Sequence, residues 1–167
     1  MKNQYPLPRI DDLLDQLKNV VYFTKLDLCS GYHQIRVAKQ DVWNTAFKTK
    51  QGLFEWLVMS FGLCNLPTNF MCVMNDVFRP LLDDFVIVYL DDILVFNRTW
   101  DEHVRHVKQV LDTLQREKLY VKMSKCEFCK TALVYLGHIV EGGQLKIDPS
   151  KIEVIVKWPE PKSVTEI

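Results

Sequence analysis

Two adjacent aspartates, Asp91 and Asp92, stand in the middle of "FVIVYLDDILVF", residues 85–96, with apolar or aromatic neighbours on both sides. Burying an unpaired carboxylate is costly, and a second like charge beside it raises that cost. A third aspartate, Asp27, stands near the end of another apolar run, "VVYFTKLDL", residues 20–28. On the doublet alone two readings are open: a solvent-exposed turn, for which Asp is a common residue, or a pair of ligands. If the two runs share one sheet, Asp27 comes to lie beside the doublet. Three carboxylates at one point repel each other unless cations join them. Hard oxygen ligands with space for water and phosphate suit magnesium rather than zinc. Two such ions a few ångströms apart support phosphoryl or nucleotidyl transfer, one activating an attacking hydroxyl and the other stabilising the leaving oxygen.

The elements that must position these groups are legible from spacing. Apolar residues at Ile10, Leu13, Leu14, Leu17 and Val21 predict a helix entered through the prolines of "YPLPR". Residues 20–28 read as a buried strand. "NTAFKTKQGLFEWLVM" reads as a hairpin turning near Gly52, with Thr45, Phe47, Phe54, Trp56 and Val58 as strand formers. From Pro67, the spacing of Phe70, Val73, Met74, Val77, Phe78 and Leu81 predicts a second helix, and residues 85–96 divide into two short strands with the aspartates at their turn. Thr99 followed by Glu102 is a capping-box signature for a helix with Val104, Val107, Leu111 and Leu114 on one face. "ALVYLGHIV", a turn at "EGG" and "QLKI" predict a last hairpin, and "DPSKIEVIVKW" a helix broken by Pro159. With residues 35–65 as an insertion, the order from residue 20 is the split βαββαβ pattern of ferredoxin-like α+β folds.

Composition narrows the class. Hydrophobic residues at 48% with only 6 Gly and 7 Pro in 167 residues exclude disorder and low complexity. Lys+Arg 21 against Asp+Glu 21 excludes a strong non-specific grip on nucleic acid, so any polyanion must be met by a local patch. Cys29, Cys64, Cys72, Cys126 and Cys129 are an odd set, and "MKNQYPLPRI" has no apolar signal region. The expected location is therefore intracellular, not secreted, and no apolar run reaches the length of a membrane helix.

"FTKLDLCSGYHQI" (23–35), "MSFGLCNLPTNF" (59–70), "YLDD" (89–92) and "VYLGHIV" (134–140) come in the order and approximate spacing of the palm motifs of reverse transcriptases. The chain resembles the polymerase of gypsy-type long-terminal-repeat retrotransposons over nearly its whole length. The resemblance implies a polymerase palm with a partial fingers insertion and the start of a thumb. Its parts are palm at 1–34, fingers insertion at 35–65, palm with the "YLDD" and primer-grip-like hairpins at 66–142, and thumb or connection at 143–167. It implies RNA-directed DNA synthesis from deoxynucleoside triphosphates on a primed RNA or DNA template, with two magnesium ions that manganese can replace. The partners would include the remaining fingers, thumb and ribonuclease H regions of a larger polyprotein, and no membrane. The expected setting is a cytoplasmic retroelement particle with a nuclear phase.

By the same resemblance Asp27 and Asp91 bind both ions with help from the Leu28 carbonyl, and Asp92 completes the catalytic carboxylates. Cys29, Ser30, Gly31 and Tyr32 hold the nucleotide, their backbone N–H groups taking triphosphate oxygens and the Tyr32 ring excluding a ribose 2'-hydroxyl. Phe61 and Gly62 contact the incoming nucleotide and template base. Tyr89, Leu136, Gly137 and His138 contact the primer strand, and Lys125 is placed near the leaving pyrophosphate. As bare residues, Tyr32 reads better as a core aromatic and Lys125 better as a solvated charge. Cys126 and Cys129 with His103 and His106 have zinc-ligand types, but the histidines lie three apart on a helix and are expected to face solvent. Small buried hydrophobes are the default for the cysteines. Ser60, Leu66, Thr68 and Asn69 depart from the family's usual residues beside the nucleotide pocket. The alternative reading is a truncated, inactive relic or nucleic-acid-binding module of the same fold.

Overall fold

The computed structural model describes residues 8–63 and 65–157. Its elements run α1 (Ile10–Asp15), β1 (Tyr22–Asp27), β2 (Phe47–Thr49), β3 (Gly52–Phe54), α2 (Leu66–Phe78), β4 (Val86–Tyr89), β5 (Asp92–Asn97), α3 (Trp100–Arg116), β6 (Glu127–Lys130), β7 (Ala132–Tyr135), β8 (His138–Glu141), β9 (Gln144–Ile147) and α4 (Pro149–Val156). The two apolar runs do share a sheet, of order β4-β5-β1-β6, with every neighbouring pair antiparallel. With α2 between β1 and β4, and α3 between β5 and β6, this is the split βαββαβ topology.

The continuous apolar character of β4 and β5 follows from burial on both faces of the sheet. Side chains alternate along a strand. Leu26, Val86, Val88, Ile93 and Val95 pack with Phe70, Met71, Met74 and Phe78 of α2 and with Val107, Val110 and Leu114 of α3. Phe23, Ile87, Leu94 and Phe96 face the other way, onto Leu13, Leu14 and Leu17 and onto Leu133, Tyr135 and Val140 of the β7-β8-β9 sheet. A charge in the middle of either strand would be buried. The aspartates are tolerated because they stand where the strands end.

Several expectations need correction. The first helix stops at Asp15, well short of Val21, and Asn19 with φ of 63° turns the chain into β1. The residue 45–58 hairpin shrinks to two three-residue strands joined through Lys50 and Gln51. Thr45 belongs to a 3-10 turn, and Val58 makes only an isolated bridge with Arg36. Phe47, Phe54 and Trp56 stack on one another there and remain exposed. The fourth sheet strand is β6, which overlaps the Cys126–Cys129 stretch and ends at Lys130. "ALVYLGHIV" is instead broken at Leu136 and Gly137, which have φ of 49° and 80°, so the last hairpin is a three-stranded meander.

The buried face of α3 also differs. His103, Val107, Val110 and Leu114 face the core while Val104 and Leu111 are exposed. His103 is fully buried rather than solvent-facing, because Thr24 and Asn97 satisfy both its ring nitrogens at 2.8 and 3.1 Å. At the start of α3 the Thr99 hydroxyl donates to the Glu102 carboxylate at 2.7 Å, in place of a bond to the helix backbone. Residues 1–7, Cys64 and residues 158–167, including Pro159, lie outside the described residues.

Candidate active site

Strand register brings the three carboxylates together. Asp27 is the direct cross-strand partner of Asp92, and Asp92 pairs in turn with Tyr89 across a two-residue turn made by Leu90 and Asp91. Leu90 takes φ of 52°, a left-handed conformation uncommon for a branched residue, and its N–H points to the Met71 sulfur at 3.1 Å. The Leu28 N–H donates to the Asp91 carbonyl at 3.1 Å, stitching the turn to the end of β1. The turn reading holds, and the carboxylates remain candidate ligands. The doublet is at a turn, and the turn is only half-exposed.

The electrostatics show the cost of this arrangement. Burial, with repulsion from Asp27 and Asp92, pushes the Asp91 carboxyl above the usual range, and Lys125 partly offsets it. Asp92 is also pushed up, chiefly by burial and then by Asp27, against the pull of Lys25 and Lys125. Asp91 Oδ1 is buried with no hydrogen-bond partner among the described residues. An acceptor oxygen in that position is one a cation would satisfy. Among the described residues, no three His, Cys, Asp or Glu side chains are gathered as a ready cage for an ion. Magnesium does not need one, because it is commonly held by one or two carboxylates completed by substrate phosphates and water. Asp27 and Asp91 fit that role.

Around the carboxylates, Lys125 Nζ lies 3.4 Å from Asp27 Oδ2, with its side chain largely exposed. Gly31 packs so closely that a Cβ there would lie 2.6 Å from Asp91 Oδ1 and 3.1 Å from the Phe70 ring. Tyr32 is both a core aromatic and a neighbour of the site. Its ring meets Phe70 at 4.8 Å and the largely exposed Phe61 at 5.4 Å, and burial with the Asp91 charge raises its hydroxyl pKa. Gly62, with φ of 98°, opens onto free space. The Cys29 N–H, expected to meet phosphate, instead donates to the Tyr120 carbonyl at 2.9 Å, because this part of the loop continues the strand pairing of β1. Leu66 is buried at the start of an intact α2, so that departure from the family pattern is accommodated by packing.

Tyr89, Leu136 and Tyr135 share the second core cluster, which sets the β7–β8 turn behind the aspartate turn. His138 closes that turn opposite Tyr135, with its Nδ1 3.2 Å from the Leu136 carbonyl. The cysteine and histidine set does not converge. Cys126 Sγ donates to the Lys122 carbonyl, and His106 stacks on Phe85 with centroids 3.7 Å apart. Spacing arguments passed over Gln34 and the main chain of Lys122, whose N–H donates to the Asp27 carbonyl at 2.8 Å. Local patterning carried no signal for either, because their partners are far away in sequence.

Comparison with known proteins identifies the family and the fold. The chain is 41% identical over 99% of its length to a retrovirus-related Pol polyprotein from transposon 297 of Drosophila melanogaster. It is 39% identical, again over 99%, to the transposon Tf2-3 polyprotein of Schizosaccharomyces pombe. It spans 16% and 12% of those two proteins. Its fold superposes with a TM-score of 0.80 on a foamy viral protease-reverse transcriptase solved with an RNA/DNA hybrid. That match has 22% identity and covers 98% of this chain and 22% of the other. A second such structure, with double-stranded DNA, gives a TM-score of 0.81 at 22% identity over 96% of this chain and 29% of that one. The family model described as reverse transcriptase (RNA-dependent DNA polymerase) matches residues 1–140, and with that match the chain belongs to the reverse transcriptase family.

Proposed function

We propose that this chain is the catalytic palm of a retrotransposon reverse transcriptase, adding deoxynucleotides to a primer 3'-hydroxyl on an RNA or DNA template. The observation that carries this reading is Asp27 set opposite Asp92 beside a turn that presents Asp91 with an unsatisfied buried oxygen. Solved relatives of this fold that hold an RNA/DNA hybrid or double-stranded DNA support a nucleic-acid partner. Reverse transcriptases as a family use divalent metal ions. In this proposal residues 1–34 and 66–142 form the palm, 35–65 a part of the fingers, and 143–167 the start of the thumb.

Asp27 and Asp91 hold the divalent ions, magnesium by the chemistry of the donors, with the Leu28 carbonyl as a further ligand. Asp92 holds the local negative charge that draws them in. Bound there, such ions neutralise phosphate charge and lower the pKa of the primer hydroxyl. Lys125 leaves Asp27 to meet the departing pyrophosphate. Tyr32 closes the space beneath the sugar, which selects deoxyribose. Phe61 and Gly62 face the nucleotide and its template base, and Tyr89, Leu136, Gly137 and His138 hold the primer end. Catalysis of this kind is positioning and electrostatic stabilisation.

The test is primer extension on an RNA template by the 167-residue chain with magnesium, beside Asp91→Asn, together with melting curves in the presence and absence of magnesium. Extension by wild type that disappears in the variant is expected. Magnesium should also raise the wild-type melting temperature, as any ligand of the native state does, and raise that of the variant less. A folded chain that neither extends a primer nor is stabilised by magnesium would establish the inactive-relic reading instead.

A further inference from the structure

We infer that Gln34 is a positioning residue: its side-chain amide locks together the two distant chain segments that form the triphosphate side of the site. This inference rests on the reading of that site as a deoxynucleotide pocket. One segment is the loop from Cys29 to Gln34, which carries Gly31 and Tyr32. The other is Leu119 to Lys125, which carries Lys125. A short antiparallel ladder joins them, with Lys122 N–H donating to the Asp27 carbonyl at 2.8 Å, an isolated bridge between Leu28 and Val121, and Cys29 N–H donating to the Tyr120 carbonyl at 2.9 Å.

The ladder cannot continue as backbone. Ser30 turns left-handed, with φ of 52°, and the chain enters a 3-10 turn over Gly31–Gln34. Gln34 then returns its side chain to where the next ladder rung would lie. Its Oε1 accepts from Tyr120 N–H at 2.7 Å, and its Nε2 donates to the Tyr120 carbonyl at 2.9 Å and to the Cys29 carbonyl at 2.7 Å. The amide imitates a peptide group, and its orientation is determined, because the flipped form would set N–H against N–H and oxygen against two carbonyl oxygens. Leu119 is buried and Val121 half-buried, but the Tyr120 side chain between them is 68% exposed, so beyond the Cys29 N–H bond the amide supplies the polar ties of the Tyr120 main chain to the loop. Its consequence is geometric. The amide closes the end of the ladder from which Gly31 and Tyr32 depart, and so helps to set their distance from Lys125.

Only a residue with an acceptor and two donors at this reach can make the tie. In Gln34→Glu the carboxylate still accepts from Tyr120 but opposes two carbonyl oxygens. In Gln34→Met the shape is kept and all three bonds are lost. Both variants of the 167-residue chain, assayed for steady-state incorporation, are expected to raise the KM for deoxynucleotide about tenfold with kcat within about twofold. The Gln34→Glu binding defect, followed by calorimetry with deoxynucleotide and magnesium, should ease toward acid pH, where a protonated carboxyl can donate to one carbonyl. In the wild type, deoxynucleotide binding should slow hydrogen exchange at Tyr120 N–H.

Unchanged KM in both variants, or lower melting temperatures with unchanged KM, would overturn the inference and leave a merely structural contact. Should the variants not fold, Tyr120 exchange that ignores the nucleotide in wild type would overturn it equally. A wild-type chain that binds no deoxynucleotide would fail at the prior step, sinking the pocket reading and this inference with it.

Discussion

Gly31 shows how narrowly the site is set at the scale of one residue. Its missing side chain is needed because Asp91 Oδ1 and the Phe70 ring already occupy the space. Phe70 is fully buried and has nowhere to go, so an added methyl must displace the aspartate. Gly31→Ala is therefore expected to lower primer extension on the order of 10²-fold, the scale of loss from about a 1 Å misplacement of a reacting group. Its melting temperature should stay close to wild type, since the strain is relieved at a half-exposed turn. Primer-extension kinetics beside a thermal melt check this, and unchanged kinetics would mean that Asp91 is not the group that must be held still.

At the scale of elements, helix α3 is tied to β1, the strand that carries Asp27, by a polar chain rather than by packing alone. Cys129 N–H donates to the Thr24 hydroxyl, which donates to His103 Nε2. His103 Nδ1–H donates to Asn97 Oδ1, and the Asn97 amide donates to His106 Nδ1 at 2.7 Å. The chain joins β6, β1, α3 and β5, and it requires a neutral His103. Burial, with a smaller contribution from His106, lowers the His103 pKa to about 4, and burial lowers that of His106 in the same direction. A histidine depressed in the folded state binds its proton more readily when unfolded. Its stabilising contribution is complete above about pH 6.5 and lost as pH falls toward about 4. Full loss corresponds to about 3 kcal/mol. Urea midpoints between pH 7 and 4.5 should fall more steeply for wild type than for His103→Gln, which keeps hydrogen-bonding capacity without the titration. Parallel curves would remove His103 from this account.

For the molecule as a whole, the candidate site works against the fold that holds it. Asp91 and Asp92 are shifted opposite to His103: their folded-state pKa values are raised, so the folded state is penalised once they ionise. The stability they allow is present below the ordinary carboxylate range and declines as pH rises through the raised values. At neutral pH, Asp91→Asn should therefore raise the melting temperature by about 3 °C while abolishing polymerisation. The change corresponds to at most about 1 kcal/mol after solvent screening of a partly exposed group. A melting temperature that falls instead would mean that Lys125 and the backbone already compensate the charge. The three-layer arrangement makes this tolerable, since both faces of the sheet are buried and the carboxylates gather where its strands end.

The βαββαβ order was legible in the sequence because the apolar spacing of "VVYFTKLDL", of α2 and of residues 85–96 is set by burial, which each segment records for itself. The aspartates were legible as candidate site residues for a related reason: charges inside such runs are costly and call for a partner. Other features had no local record. The register that sets Asp27 opposite Asp92, and the recruitment of β6 as the fourth strand, depend on pairing between segments far apart in the chain. The burial of His103 rotated the expected face of α3, which keeps Val107 and Leu114 but turns Val104 and Leu111 outward, because a polar residue enters a core only when distant partners satisfy it, here Thr24 from 79 residues away. Gln34 was silent for the same reason, with Tyr120 86 residues away. Periodicity and residue type determined the elements and the chemistry of the candidate site. Tertiary structure alone decided the pairings that close it, because hydrogen bonds between remote segments leave no period in a sequence.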